Sequence, residues 1–127
     1  MKAPRTILVC DDEHRLRELM KVTLGDQYCY LEAEDADEAL ALARENHPDL
    51  VLLDVMLPGR SGIELLRELR AEPGLEEVPV VVVSAWQTGG DNRAALEAGA
   101  DAFLGKPFNV DELSAIVHAL LEDEQAQ

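Results

Sequence analysis

The sequence predicts an α/β fold in which five parallel strands form one sheet with helices on both faces. Short apolar runs alternate along the chain with segments whose apolar residues recur at helical spacing. Several runs, including residues 6–10, are continuously apolar, which is typical of strands covered on both faces. Four of the runs end at a polar residue, which indicates that their carboxyl ends share one edge of the sheet.

The first half of the chain predicts three strands and two helices. The first strand, at 6–10, is followed by a helix that Gly25 ends, because glycine readily adopts the conformation found just after a helix. The second strand, at 28–32, is more polar, and Asp35 can cap the helix after it. His47-Pro48 ends that helix before a third strand at 50–53. The apolar stripes of the two helices are Leu16, Leu19, Met20 and Leu24, and Ala36, Ala39, Leu40 and Ala43.

The second half predicts two more strands and three more helices. Ser61 and Glu64 form a capping box for a helix that Pro73-Gly74 closes. Strands follow at 78–83, with Pro79 near the start, and at 102–104. Asn109 opens the last helix, whose inner stripe is Leu113, Ile116, Val117, Leu120 and Leu121.

The fourth helix, at 91–98, has a weaker pattern than the others. It offers mostly alanine and only Leu96 to the interior, so little apolar area holds it to the sheet. We expect this helix to be mobile.

Composition and net charge limit the classes of function that this chain can have. A chain of 127 residues with 47% hydrophobic content supports one domain, residues 1–127, with tails at 1–5 and 123–127 that we expect to fray. The net charge of −15 argues against direct binding of nucleic acid or anionic membranes. No stretch is long and apolar enough for a membrane span, so we expect a cytoplasmic protein. Cys10 and Cys29 lie in apolar runs and are expected to be buried, reduced thiols.

The polar residues at the strand ends define the candidate site. Three acidic residues, a hydroxyl and an ammonium should converge there, namely Asp11, Asp12, Asp54, Ser84 and Lys106. Carboxylates are the ligands that Mg²⁺ prefers, and a hydroxyl with an ammonium suits a phosphoryl group. Any one of these residues could simply begin a loop, but the convergence of all of them favours a site. Pro107 restricts the backbone at Lys106, which indicates that the backbone there directs the lysine side chain toward this site.

The sequence also resembles the receiver domains of two-component response regulators over nearly its whole length. The motifs that carry the resemblance are residues 9–13, 53–62, 83–85 and 99–108. It implies a flavodoxin-like, doubly wound sheet with strand order 2-1-3-4-5, and a signalling domain rather than an enzyme acting on an external substrate.

The resemblance implies a role for each site residue. Asp54 is the phosphoacceptor, which attacks the phosphorus of a phosphohistidine and needs no general base because it is already ionised. Lys106 and Ser84 meet phosphoryl oxygens. The Mg²⁺ ligands are Asp11, Asp12, Asp54 and the backbone carbonyl of Met56.

Residues around this centre are expected to shape it or to transmit its state. Pro58, Gly62 and Pro107 shape the loops. Ser84 and Phe103 resemble the family's switch pair, although Phe103 could equally be a core residue. Phosphorylation would then change the surface formed by helix 4, strand 5 and helix 5.

Two further side chains are candidates for controlling the lifetime of the phosphoryl group. Trp86 and Met56 are expected to stand beside it and to screen it from water. Trp86 could instead be a half-exposed anchor for partner proteins.

The expected function is that of a phosphorylation-activated receiver. Its partners would be a histidine kinase or histidine phosphotransfer protein and a downstream effector protein, with a homodimer on phosphorylation as a further option. Two alternatives stay open: a small Mg²⁺-dependent phosphohydrolase with an aspartyl-phosphate intermediate, and a receiver cut from a longer regulator with an effector domain.

Overall fold

The predicted α/β class is confirmed, as are the parallel sheet and the strand order. The computed structural model describes residues 4–57, 61–85 and 89–125. In this part of the chain five strands alternate with five helices, and the sheet order is β2-β1-β3-β4-β5 with every pair parallel. The elements are β1 Arg5–Cys10, α1 His14–Leu24, β2 Tyr28–Ala33, α2 Ala36–Asn46, β3 Leu50–Leu53, α3 Gly62–Ala71, β4 Val80–Ser84, α4 Gly89–Glu97, β5 Ala102–Gly105 and α5 Val110–Gln125.

Helices cover both faces of the sheet, because alternate residues of the central strands point to opposite sides. Leu8 and Cys10 of β1 pack into the core layer formed with α2, α3 and α4. Ile7 and Val9 pack into the opposite layer, which α1 and α5 complete. The continuously apolar runs are therefore explained by burial on both faces. Among the described helices none is both long and apolar enough to cross a membrane.

Local capping fixes where several helices begin and end, as predicted. Asp35 Oδ1 accepts a hydrogen bond from Glu38 N at 2.8 Å, and Asn109 Oδ1 accepts bonds from the first turn of α5. Ser61 also caps α3, but it accepts from Ile63 N at 3.1 Å rather than from Glu64 N as the predicted capping box requires. Gly25, with φ +95°, ends α1.

Several predicted boundaries differ from the structure. Pro79 precedes β4 rather than lying inside it, so the proline disturbs no strand pairing. Strand β1 begins at Arg5, which lies within the predicted tail 1–5 and pairs with Tyr28 of β2. Helix α5 continues to Gln125, past the predicted tail boundary at 123.

Three predicted burial assignments were wrong. In α1 the buried stripe is Arg17, Met20 and Leu24, whereas Leu19 is 42% exposed. In α4 Ala95 faces the core and Leu96 is exposed. Cys29 is exposed, because it lies on the edge strand β2 and has a neighbouring strand on one side only.

Cys10 is buried as predicted. Burial raises the pKa of its thiol, and the nearby charge of Asp11 adds to that effect. Cys10 therefore stays a neutral, unreactive thiol.

Candidate functional site

Backbone hydrogen bonds extend the sheet by one residue beyond the strand ends and so bring the site together. Asp54 N donates to the carbonyl of Cys10 at 2.9 Å, and Asp11 N donates to the carbonyl of Ala33 at 3.1 Å. On the other side Lys106 N donates to the carbonyl of Ser84 at 2.8 Å. These residues therefore lie at one edge of the sheet, as the sequence predicts.

Three carboxylates form the centre of this edge. Asp11, Asp12 and Asp54 each offer an oxygen, and these atoms all lie within 4.8 Å of one another. Asp11 is fully buried and Asp54 is 5% exposed, whereas Asp12 is exposed and opens the cluster to solvent. A set of hard oxygen donors at this spacing, with one side open to water, fits Mg²⁺, which keeps several water ligands.

Lys106 joins the two buried carboxylates. Its Nζ donates to Asp11 Oδ2 at 2.8 Å and to Asp54 Oδ2 at 2.9 Å. Burial by itself would lower the pKa of Lys106, but the hydrogen bonds to Asp11 and Asp54 outweigh it and raise that pKa. The ammonium is therefore charged at neutral pH. The Lys106-Pro107 peptide bond is cis.

The other oxygen of Asp54 is held by its own loop. Met56 N donates to Asp54 Oδ1 at 2.9 Å, so each carboxylate oxygen of Asp54 has a defined partner. The Met56 side chain is 58% exposed beside this centre.

Gly62 shapes the same loop by allowing close backbone packing. Gly62 N donates to the carbonyl of Val55 at 3.1 Å. A Cβ atom at position 62 would lie 2.3 Å from Val55 Cα, so a larger residue cannot fit without movement. Close packing against Val55 therefore requires a glycine at position 62. Pro58, the other predicted loop-shaping residue, lies outside the described residues.

The structure places the predicted switch residues in neighbouring strands. Ser84 ends β4 and is fully buried. Phe103, in β5, pairs with Val82 and is partly buried against the core layer of α2, α3 and α4. This position is compatible with both interpretations of Phe103. Trp86 lies outside the described residues.

Sequence reasoning missed Arg17, a buried arginine next to the site. Its side chain is 8% exposed, and its NH1 donates to the backbone carbonyl of Asp11 at 2.7 Å. Its Nε donates to Glu32 Oε1 at 2.9 Å. The apolar spacing in α1 gave no sign of this burial. The sequence signal for it is the acidic segment 32–35, which offers carboxylate partners to a buried cation.

A second acidic group lies on α1 and β2. His14, Glu18 and Glu32 have ligand atoms within 4.8 Å of one another. Lys21 Nζ already lies 2.9 Å from both Glu18 and Glu32. This group is therefore an ion-pair network.

A five-stranded parallel sheet of this order, with an acidic cluster and a lysine at its carboxyl edge, defines a receiver-type signalling domain. The model of the response regulator receiver domain family matches residues 7–118, and the chain belongs to that family. Receiver domains generally bind Mg²⁺ at such an acidic pocket.

Individual relatives agree with this membership. The chain is 42% identical over 118 residues to the phosphate regulon transcriptional regulatory protein PhoB of Pseudomonas aeruginosa, covering 92% of this chain and 52% of that protein. It is 44% identical over 125 residues to the DNA-binding response regulator MtrA of Mycolicibacterium smegmatis, covering 95% and 54%. The chain thus spans about half the length of these curated relatives.

A solved structure matches along almost its full length. The receiver domain of the Francisella response regulator 1452 superposes with a TM-score of 0.86 at 31% identity, covering 94% of this chain and 98% of that one. The fold described above is therefore also found in a solved receiver domain.

Proposed function

We propose that this chain is a phosphorylation-activated receiver whose phosphoacceptor is Asp54. The observation that carries the proposal is the lysine bridge: Lys106 Nζ binds Asp54 and Asp11 beside an exposed third carboxylate. This arrangement places a carboxylate oxygen of Asp54 at the carboxyl edge of the sheet together with a fixed positive charge for the incoming phosphoryl group.

Asp54 acts as the nucleophile in the proposed reaction. A carboxylate oxygen attacks phosphorus, the new O–P bond forms, and the N–P bond of the donor phosphohistidine breaks with its electron pair returning to the imidazole. Met56 N, which binds Oδ1, keeps the carboxylate oriented for this attack.

Other groups of the chain compensate the charge of the transferred phosphoryl group. Lys106 shifts from the carboxylate of Asp54 to a phosphoryl oxygen, and the Ser84 hydroxyl donates to another. Mg²⁺, when bound, neutralises phosphoryl charge and orients the donor. Its proposed ligands are Asp11, Asp12, Asp54 and the Met56 carbonyl.

The proposed donor is a histidine kinase or a histidine phosphotransfer protein. An apolar groove of about 340 Å³ opens next to Lys106 and is lined by Glu13, Leu16, Leu19, Lys106, Pro107 and Phe108. A protein that brings a phosphohistidine to Asp54 has to cover the edge of the sheet beside this groove. The exposed Leu19 offers apolar area for that contact.

The proposed output is a change in protein binding. Ser84 would move toward the phosphoryl group as its hydroxyl donates to it, and the space it vacates would let Phe103 rotate inward, which biases α4, β5 and α5. An effector protein or a second copy would then bind that face. The net charge of −15 favours a protein over DNA as the partner of this chain, although the name of the relative MtrA records DNA binding for that protein.

We propose that Met56 and Trp86 set the lifetime of the phosphoryl group. Met56 is exposed at the site, and Trp86 follows β4 in the sequence. Apolar side chains there would hinder the approach of water. Trp86→Ala should therefore shorten the half-life of the phosphorylated protein, and an unchanged half-life would remove this role.

Labelling by acetyl phosphate tests the proposed function. Wild type should gain one phosphoryl group when Mg²⁺ is present and none in excess chelator. Asp54→Asn should abolish labelling, whereas Asp49→Asn is the matched control, because Asp49 immediately precedes β3 and Asp54 immediately follows it. Persistent labelling of Asp54→Asn would overturn the assignment. Continued phosphate release far beyond one equivalent per chain would favour a phosphohydrolase.

A further inference from the structure

Arg17 is buried although it carries a charge. It is 6% exposed, and its guanidinium contacts the backbone of the acidic loop on one side and the edge strand β2 on the other. Taking a charged side chain out of water is costly unless it is paired and hydrogen-bonded. These contacts, together with Glu34 Oε1 at 3.6 Å and His14 Nδ1 at 3.4 Å from NH2, supply that compensation, so the position of Arg17 is well determined.

The carbonyl that Arg17 binds belongs to the peptide that joins Asp11 to Asp12. Arg17 NH1 donates to this oxygen at 2.7 Å. The carboxylate of Asp11 is held separately, since Oδ1 accepts from Glu13 N at 2.9 Å and Oδ2 from Lys106 Nζ at 2.8 Å. Arg17 thus fixes the plane of the peptide from which Asp12 extends.

Asp12 has few other constraints. Its side chain is exposed, and within the described parts of the chain we find no hydrogen bond or ion pair to its carboxylate. Its oxygen nevertheless lies within 4.8 Å of oxygens of Asp11 and Asp54. The orientation of the backbone before it is therefore the main determinant of where this carboxylate points.

Glu32 holds the other side of the guanidinium. Glu32 Oε1 accepts from Arg17 Nε and Oε2 accepts from Lys21 Nζ, both at 2.9 Å. The hydrogen bond from Lys21, followed by that from Arg17, lowers the pKa of Glu32. Glu32 is therefore a carboxylate at neutral pH and anchors Arg17 in one orientation.

We propose that Arg17 is a positioning residue for Mg²⁺ binding. It orients the Asp11–Asp12 peptide so that the Asp12 carboxylate lies beside the carboxylates of Asp11 and Asp54. The inference rests on the proposed function in so far as that function requires Mg²⁺ at this cluster. Loss of a residue that orients metal ligands in this way lowers metal affinity about 10- to 100-fold in other proteins.

Isothermal titration of the whole chain with Mg²⁺ alone tests this role. Arg17→Met should raise the Kd for Mg²⁺ about tenfold or more. Arg70→Met is the matched control, because Arg70 is another largely buried arginine whose NH1 and NH2 bind the carbonyls of Val78 and Gly99, both at 2.6 Å. Val78 and Gly99 lie before β4 and β5, away from the carboxyl edge. Arg70→Met should leave the Kd unchanged.

A second variant keeps the test decisive if Arg17→Met does not fold. Arg17→Lys retains the charge but cannot reproduce the planar, two-sided contacts with Asp11 and Glu32, so it should also bind Mg²⁺ more weakly than wild type. In both variants the rate of acetyl phosphate labelling should approach the wild-type rate at saturating Mg²⁺, which a general loss of structure would not allow.

The outcomes separate the two proposals. A wild-type Kd in folded Arg17→Met or in Arg17→Lys would overturn the positioning role, as would an equal rise in Kd in Arg70→Met. A wild-type chain that does not bind Mg²⁺ at all would instead overturn the metal-dependent function proposed above.

Discussion

Replacing Lys106 by methionine probes the electrostatics of the site, because two buried carboxylates share this ammonium. Its Nζ lies 2.8 Å from Asp11 Oδ2 and 2.9 Å from Asp54 Oδ2. At an effective dielectric constant of about 20, each attraction is about 6 kcal/mol before desolvation is counted. The two carboxylates have oxygens within 4.8 Å of each other. At that distance and dielectric constant their mutual repulsion is about 3.5 kcal/mol.

In Lys106→Met this repulsion has no opposing charge, while the methionine keeps most of the apolar stem. We expect the free energy of unfolding to fall by about 3 kcal/mol, near the lower end of the range for breaking a buried ion pair. Urea denaturation in excess chelator at neutral pH measures this loss. The midpoint should fall, while the dependence of the free energy of unfolding on urea concentration should stay unchanged. Mg²⁺ at about ten times its Kd should restore about 1.4 kcal/mol.

Lys21→Met is the matched control for this experiment. Lys21 Nζ also lies 2.9 Å from two carboxylates, those of Glu18 and Glu32, but their side chains are 46% and 33% exposed. Such solvated pairs contribute less than about 1 kcal/mol. Equal losses of stability in the two lysine variants would refute the electrostatic reasoning.

Two further predictions concern the loop after β3 and the ion pairs of α1. Gly62→Ala should lower the free energy of unfolding by about 1–3 kcal/mol, because the new Cβ would overlap Val55. Gly105→Ala should leave the free energy of unfolding unchanged, because nothing lies within 4 Å of the added atom. Equal losses in the two variants would contradict the role of close packing. The pKa of Glu32 is lowered, chiefly by its hydrogen bond from Lys21, so its stabilising contribution is present above the unfolded-state pKa and is lost in acid. The stability difference between wild type and Glu32→Gln, measured by urea denaturation, should therefore be constant above about pH 5 and shrink below about pH 4; a difference that grows in acid would contradict this sign.

Much of the site could be predicted because its residues follow strands of strong apolar pattern. Leu50–Leu53 is buried on both faces, and the residue after it is Asp54. Once parallel strands are assumed, Asp11 and Lys106 have to lie at the same edge of the sheet as Asp54. The strand order itself did not follow from periodicity and came from the resemblance to receiver domains.

The missed features depend on contacts between elements that are distant in sequence. The spacing in α1 favours Leu19 over Arg17 as an inner residue, yet Arg17 is buried because Glu32 of β2 and the Asp11 carbonyl compensate its charge. In α4 the burial of Ala95 instead of Leu96 depends on how the helix is rotated on the sheet. The mobility expected for α4 stays a prediction.

The central claim is that Asp54 forms an acyl phosphate, and chemical trapping tests it most directly. Borohydride reduces an aspartyl phosphate to homoserine and leaves free carboxylates unchanged. After treatment with acetyl phosphate and Mg²⁺, peptide mass spectrometry should find homoserine at position 54 and unchanged aspartate at positions 11 and 12. Homoserine at position 11 or 12, with aspartate retained at position 54, would contradict the account.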